Sequence, residues 1–268
     1  YTWRYTLPLH AALPISKPHA VAFDHVTFGY GAAETNALTD VSLDLPAGSL
    51  TAFVGPSGAG KTTAAQLIPK FWETRQGAVR IDGHALSELR TDNLMDLVSF
   101  VLQEAFMLDD TLYENIRLGR PNATREQVEA AARAAQIHDT IEGLPNGYYT
   151  LLGENGVKLS GGERQRVCIA RAILKDAPII VFDEATSFTD IENEHRIQLA
   201  LSHLLTNKTC IMIAHRLHTI VHADQICVFD HGRLRERVTH DSLIKQDGAY
   251  ARMWDAYTHR TEKKESLA

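Results

Sequence analysis

The part of the sequence best suited to chemistry is a glycine-rich stretch that ends in a lysine and a threonine. Residues 55–62 read Gly-Pro-Ser-Gly-Ala-Gly-Lys-Thr and fit the phosphate-loop pattern G-x-x-x-x-G-K-[ST] without deviation. Glycines let successive N–H groups face phosphate oxygens, and the helix that follows adds its positive end. Lys61 would place a charge at the β- and γ-phosphates, and Thr62 a hydroxyl at Mg²⁺. The residues expected to surround a nucleoside triphosphate are Gly55, Pro56, Ser57, Gly58, Ala59, Gly60, Lys61, Thr62 and Thr63.

Two adjacent carboxylates, Asp183 and Glu184, follow the apolar run at 179–182. Such a run predicts a buried strand whose carboxyl end lies beside the phosphate loop, where α/β sheets bind their ligands. Asp183 would hold Mg²⁺ directly or through water, and Glu184 would polarise a water for attack on the γ-phosphate. A solvated acidic strand end is the alternative interpretation, and the phosphate loop upstream weighs against it.

Ser160 and Glu163 frame a predicted helix start that contains two glycines. A serine followed three residues later by a glutamate is a capping box. Gly161 and Gly162 are poor helix formers, so a well-capped helix alone does not account for them. We expect a ligand to approach the bare N–H groups here, as a second phosphate site about 100 residues after the first.

Strand and helix patterns alternate along the chain, which is typical of an α/β fold. Period-two alternation, as at Val26, Phe28 and Tyr30, predicts half-buried strands in an antiparallel layer. Short runs that are apolar at nearly every position predict a parallel sheet buried on both faces. These runs are 50–54, 179–182, 210–214 and 226–229.

About residues 94–160 show little parallel-strand signal and are predicted to be a mostly helical insertion, within a helical subdomain expected to span about residues 94–175. Thr124 and Gln127 form a second capping box inside it. Before this region, Pro69 predicts that the helix after the phosphate loop ends early, near Ile68.

The composition narrows the classes of function. The chain has 268 residues, with 27 Lys and Arg against 33 Asp and Glu, so its net charge is -6. A nucleic-acid partner is not expected, because proteins that follow phosphate backbones usually carry a basic excess. The sequence has no apolar stretch close to the roughly 18 residues of a membrane-spanning helix, so we do not expect it to cross a bilayer by itself. Cys168, Cys210 and Cys227 predict core positions rather than a disulfide framework.

The two ends of the chain differ from its middle. Residues 1–18 are expected to be a linker or a non-native segment, because the stretch at 9–15 resembles translated sequencing-adapter read-through. Residues 19–257 are expected to form the folded domain, and the charged residues 258–268 a flexible tail.

Three motifs together resemble the nucleotide-binding domain of ATP-binding cassette (ABC) transporters. They are the loop at 55–62, the Leu-Ser-Gly-Gly-Glu at 159–163 and the strand that ends in Asp183-Glu184. The resemblance covers residues 20–257, with the motifs in the family's order and spacing. It implies a RecA-like P-loop NTPase core, an antiparallel β layer and a helical subdomain, with ATP and Mg²⁺ as ligands and ATP hydrolysis as the activity.

The resemblance also implies a partner and further site residues. In this family two domains pair head to tail, and the phosphate loop of one faces the signature helix of the other across ATP. By resemblance, Tyr30 stacks on adenine, Gln103 reaches Mg²⁺ and the attacking water, and His215 contacts the γ-phosphate. The metal residues are then Thr62, Gln103 and Asp183, and the residues that contact the partner's ATP are Ser160, Gly161, Gly162, Glu163 and Asp190.

The family commonly has Ser-Ala-Leu-Asp where this chain has Ser187-Phe-Thr-Asp190, a departure that bears on the inter-domain packing. Segments 106–116 and 153–156 resemble those of exporter-type members, in which the ATPase follows a transmembrane domain on the same polypeptide. The resemblance therefore implies a transport ATPase at the cytoplasmic face of a membrane, the bacterial inner membrane, with its transmembrane domain outside this sequence.

Two alternatives stay open at the level of sequence. The first is an ABC ATPase without a membrane partner, as in DNA repair or translation. Repair members place a long coiled coil between the two phosphate motifs, and translation members carry two cassettes, whereas this chain has neither. The second is a stand-alone importer ATPase subunit, against which the exporter-like segments count.

Overall fold

The architecture consists of two sheets with helices packed around them. The computed structural model describes residues 13–14, 17–31, 35–102, 105–153, 156, 158–183, 191–214 and 216–265. Within these residues a six-stranded sheet, largely parallel, carries the phosphate loop, and a four-stranded antiparallel sheet packs beside it. The predicted α/β class with an antiparallel layer is confirmed.

The antiparallel sheet has the strand order β2-β1-β4-β5. Alternating buried and exposed positions run along the two longest strands, as the period-two pattern predicts. The strands are β1 (Val21–Phe28), β2 (Leu38–Leu45), β4 (Gln76–Ile81) and β5 (His84–Ala85).

In the described part of the chain, the larger sheet has the order β10-β9-β3-β8-β7-β6; its β9–β10 pair is antiparallel and its other pairs are parallel. Phe53 pairs with Ile213 and Asp183 pairs with the same residue from the other side, so these strands end at one edge. The four apolar runs are confirmed as strands. The strands are β3 (Leu50–Val54), β6 (Val98–Val101), β7 (Ile179–Asp183), β8 (Thr209–Ile213), β9 (Gln225–Asp230) and β10 (Arg233–Val238).

Helices cover the larger sheet and form most of the segment between β6 and β7. The Thr124–Gln127 capping box is present, and the first helix ends at Leu67, before Pro69, as predicted. The helices are α1 (Lys61–Leu67), α2 (Thr91–Leu97), α3 (Leu112–Arg117), α4 (Arg125–Ala134), α5 (His138–Glu142), α6 (Gly161–Lys175), α7 (Ile191–Leu205), α8 (His240–Lys245) and α9 (Ala249–Glu265).

The parallel strands of the larger sheet are mostly buried on both faces, which explains their apolar sequences, whereas the edge strand β10 is polar and largely exposed. Phe53, Val181 and Ile211 face a core shared with the antiparallel sheet and α1. Their chain neighbours Val54 and Phe182 face a second core shared with the helices. Cys210 and Cys227 are buried in these cores as predicted, whereas Cys168 is half-buried.

Strand β6 is the main correction to the predicted helical insertion. It lies inside the region expected to lack parallel strands, yet it pairs in parallel with β7. The apolar residues Leu94, Leu97, Val98 and Val101 follow the i, i+3, i+4, i+7 spacing of a helix, and β6 begins where α2 ends. Because the apolar residues of α2 and β6 together fit a helical pattern, the sequence pattern did not predict this short strand at the edge of the sheet.

Helix α9 continues beyond the predicted domain boundary at Tyr257. Residues 258–265, expected to belong to a flexible tail, extend it to Glu265. Lysine and glutamate, which supply most of the charge there, are themselves good helix formers. Among the residues that the structure describes, we find no helix both long and apolar enough to span a bilayer.

Candidate nucleotide-binding site

The glycine-rich loop curls between β3 and α1. Gly55, Gly58 and Gly60 have φ angles of 140°, 76° and 100°, a backbone region that favours glycine. A Cβ on Gly55 would lie 2.1 Å from the carbonyl oxygen of Phe229, so glycine is required for the close approach of β9. Around Gly58 the space for a Cβ is open, so its glycine serves the turn itself. The loop thus has the curled backbone that anion-binding N–H groups need.

Lys61, the first residue of α1, is folded back over the loop. Its Nζ donates to the carbonyl oxygens of Gly55 and Pro56, both at 2.8 Å. The side chain is only 6% exposed. Burial lowers the pKa of the ammonium below its ordinary value, and the carboxylate of Asp183 partly opposes this shift. Phosphate oxygens would add negative charge at this ammonium and favour its protonated form.

Thr62 and Asp183 bring two oxygens together at the carboxyl edge of the sheet. The Thr62 hydroxyl lies 3.5 Å from Oδ2 of Asp183, which is buried at the end of β7. Oxygen ligands of this kind suit Mg²⁺, which commonly takes one or two protein oxygens, with waters and substrate phosphates as its other ligands. In the described part of the chain, no group of three or more His, Cys, Asp or Glu side chains is placed to hold a metal ion. A magnesium ion at Thr62 and Asp183 would therefore need waters and phosphates as further ligands.

Tyr30 lies just past the end of β1, in an aromatic cluster with the buried Phe28 and the exposed Trp72. Its ring meets those of Phe28 and Trp72 edge to face, with centroids 4.9 and 5.3 Å away. Its hydroxyl lies 2.9 Å from Oγ1 of Thr63, which ties the ring to α1. The alternation predicts that Tyr30 is buried like Phe28, but Tyr30 is 41% exposed, because β1 ends at Phe28. An exposed aromatic ring therefore lies next to α1, the helix that follows the phosphate loop.

Trp72 was not singled out from the sequence, although it is 46% exposed and in contact with Tyr30. The signal was present, because Trp72 follows a helix broken by Pro69 and adjoins another aromatic residue. Exposed aromatic residues after a broken helix are candidates for a binding surface.

The predicted helix start at Ser160 forms with both capping-box hydrogen bonds. The Ser160 hydroxyl accepts from the N–H of Glu163 at 3.3 Å, and Glu163 Oε2 accepts from the N–H of Ser160 at 2.7 Å. Ser160 and Gly161 are exposed, as a ligand approach would require.

Helix packing explains why residue 162 is a glycine. It is buried, and a Cβ there would lie 3.3 Å from Cγ of Asn193 on α7. The same asparagine accepts from Nη1 of Arg166 at 2.6 Å. Close packing between α6 and α7 therefore explains the glycine at position 162. Of the two glycines for which we expected a ligand, only Gly161 is exposed to one.

Four predicted site residues lie outside the described residues: Gln103, Glu184, Asp190 and His215. The altered segment 187–189 lies outside them as well. Their roles stay predictions. In the sequence, Glu184 directly follows the end of β7, His215 is two residues after β8, and Gln103 is two residues after β6. All three strands end at the edge that carries the phosphate loop.

Comparisons with known proteins agree with this arrangement. A family model described as "ABC transporter" matches residues 38–187. The chain is 52% identical over 238 residues to the mycobactin import ATP-binding/permease protein IrtA of Mycobacterium tuberculosis, covering 89% of this chain and 28% of that protein. It is 47% identical over 249 residues to the ATP-dependent lipid A-core flippase of Dechloromonas aromatica, covering 92% of this chain and 42% of that protein.

A solved structure is similar in both fold and sequence. It is a bacterial Atm1-family ABC exporter with ATP bound, with a TM-score of 0.87 and 43% identity over 93% of this chain. This chain covers 43% of that one. The chain therefore spans less than half the length of each of these relatives.

Proposed function

This chain belongs to the ABC transporter family, and on that premise we propose that it is the ATP-binding and ATP-hydrolysing domain of a membrane transporter. The observation that carries the proposal is the meeting of Lys61, Thr62 and Asp183 at a curled glycine loop. A buried cation and two oxygen ligands beside a set of N–H groups match the needs of a magnesium-bound triphosphate. Phosphate release from ATP by the purified chain tests the proposal.

The chemistry rests mainly on positioning and on charge. Mg²⁺ would neutralise charge on the phosphates when bound, with Thr62, Asp183 and Gln103 as its protein ligands. Lys61 would hold the β- and γ-phosphates. Glu184 would take the proton of the attacking water, and His215 would orient the γ-phosphate.

Two chains would complete each site head to tail. Ser160 and Gly161 are exposed at the N-terminus of α6, a 15-residue helix whose positive end is available to an anion. We infer that this end contacts ATP held on the phosphate loop of the partner domain, with Gly162, Glu163 and Asp190 nearby. The partner is a second nucleotide-binding domain, identical or homologous.

Tyr30 provides a test of nucleotide binding that does not depend on hydrolysis. Replacing it with alanine should weaken ATP binding by about 5- to 150-fold, because base–aromatic stacking contributes about 1–3 kcal/mol. Tyr30→Phe keeps the ring but loses the hydroxyl that contacts Thr63, and it should bind within about threefold of wild type. Titration with a fluorescent ATP analogue measures both. Equal losses in the two variants would assign the effect to the hydroxyl and contradict stacking.

A groove beside β6 suits the transmembrane partner. It has a volume of about 260 Å³, and the apolar residues along it include Leu102, Phe106 and Leu118, each about half exposed. Such a patch marks an interaction surface. The relatives named as ATP-binding/permease proteins are longer than this chain, so we propose that their permease portion has a counterpart that docks here. That assembly would place the domain at the cytoplasmic face of a membrane, the bacterial inner membrane.

The alternatives without a fused membrane partner gain no support from the relatives compared above, whose names describe import, lipid flipping and export.

A further inference from the structure

Helix α9 presents three aromatic side chains on one face, and they fix it against the rest of the domain. Tyr250, Trp254 and Tyr257 are spaced four and three residues apart, and successive ring centroids are separated by 6.5 and 6.2 Å. Tyr250 is fully buried, and its hydroxyl lies 2.8 Å from Nδ1 of His240. The position of Tyr257 is therefore set by a well-anchored helix.

The start of α9 is held by Glu236 of β10. Its Oε1 accepts from the N–H of Ala249 at 2.5 Å, and its Oε2 accepts from the N–H of Tyr250 at 3.1 Å. A carboxylate in this position satisfies N–H groups that a helix leaves without intrahelical partners and interacts well with the helix dipole. Anchors at the start and in the middle of α9 leave little freedom for the turn that carries Tyr257.

Tyr257 contacts the segment that follows His215 in the sequence. Its hydroxyl lies 2.5 Å from Nδ1 of His218, and the two rings are nearly parallel, with centroids 5.8 Å apart. The other ring nitrogen, Nε2, faces Oε1 of Glu194 on α7 at 3.6 Å. A tyrosine hydroxyl that donates to Nδ1 leaves the proton of a neutral ring on Nε2, where it faces the carboxylate.

Glu194 holds the same segment through a second contact. Arg216 donates from Nη1 to Oε1 of Glu194 at 2.7 Å, and both side chains are half-buried. Leu217 and Ile220 anchor the segment in the core. One carboxylate oxygen thus faces both Arg216 and His218, and α9 supports His218 from the other side.

We propose that Tyr257, His218 and Glu194 are positioning residues for ATP hydrolysis, which hold segment 216–220, the segment that follows His215 in the sequence, against α7 and α9. The inference rests on the proposed function, in which His215 orients the γ-phosphate. Arg216 directly follows His215 in the sequence, so the contacts that hold Arg216 bear on the positioning that the proposed role of His215 needs. The effect should fall on kcat rather than on KM, because the three residues lie outside the phosphate loop.

Four variants of the full chain test the proposal through kcat and KM for ATP and the midpoint of thermal unfolding. Tyr257→Leu and Glu194→Gln should each lower kcat about five- to tenfold and leave KM within about twofold of wild type. Tyr257→Phe keeps the ring that stacks on His218, so its kcat should fall less than that of Tyr257→Leu. Arg252→Gln, at an exposed position of α9, is the matched control and should behave as wild type.

A double variant, Glu194→Gln with Tyr257→Leu, should lose less than the product of the two single losses, because both act through His218. Wild-type kcat in Tyr257→Phe, Tyr257→Leu and Glu194→Gln would overturn the proposal, even if unfolding occurred at lower temperature. If Tyr257→Leu does not fold, the phenylalanine and glutamine variants decide. A wild-type chain without ATP turnover would overturn the proposed function and this inference together, whereas an active wild type with unaffected variants overturns the inference alone.

Discussion

Replacing Glu184 with glutamine is expected to reduce ATP turnover by about 10²- to 10⁴-fold while ATP binding stays close to wild type. Glutamine matches glutamate in shape, but its amide cannot accept a proton from the attacking water. Glu184 directly follows Asp183, whose Oδ2 lies 3.5 Å from the Thr62 hydroxyl. The sequence therefore places the proposed base next to the proposed metal ligand, as a metal-assisted attack by water requires.

Phosphate release at saturating ATP and Mg²⁺ measures the turnover of Glu184→Gln, and titration with a fluorescent ATP analogue measures its binding. Glu142→Gln removes the same charge at an exposed position of α5 and serves as the control. Turnover at the wild-type rate would refute the assignment of the base. Loss of binding instead of turnover would mean that Glu184 holds the nucleotide rather than the water.

Lys61→Ala should weaken ATP binding by about 10- to 100-fold, because hydrogen bonds to charged groups contribute about 1.5–3 kcal/mol each. The Lys61 ammonium is buried and its hydrogen-bond acceptors are the carbonyl oxygens of Gly55 and Pro56, inside the loop that would hold the phosphates. Turnover should fall at least as far as binding, since the same charge would stabilise the transferring phosphoryl group.

Lys208→Ala is a matched control for the loss of a largely buried lysine, since the Lys208 side chain is 11% exposed. Lys208 donates to Oδ1 of Asp176 at 2.6 Å and to the carbonyl oxygen of Ala177 at 3.0 Å. It precedes β8 and so lies at the opposite edge of the sheet. The Lys208→Ala substitution should lower the free energy of unfolding but leave ATP affinity unchanged. Equal loss of ATP affinity in Lys208→Ala and Lys61→Ala would contradict a direct role for Lys61.

The sequence predicts the sheet well where burial leaves a simple pattern. A strand covered on both faces needs apolar residues throughout, so β3, β7, β8 and β9 could be predicted. Strand β6 could not, because its apolar residues continue the helical spacing of α2.

The phosphate loop was predictable for a different reason. Its geometry depends on eight consecutive residues, 55–62, and on the conformational freedom of glycine at three of them. The contacts of Arg166 with Asn193 and of His218 with Tyr257 join residues 27 and 39 positions apart. Such contacts follow from helix packing, which no local pattern encodes.

The central claim is that two chains build each ATPase site head to tail, and mixing two inactive variants tests it most directly. Lys61→Ala spoils the phosphate loop, and Ser160→Arg blocks the exposed end of α6. Each alone should be inactive, because every site in such a dimer carries a defect. In a mixed dimer both defects fall in one site and the other is intact, so equimolar mixing should restore about a quarter of wild-type turnover. Turnover that stays at the level of the separate variants would contradict the account.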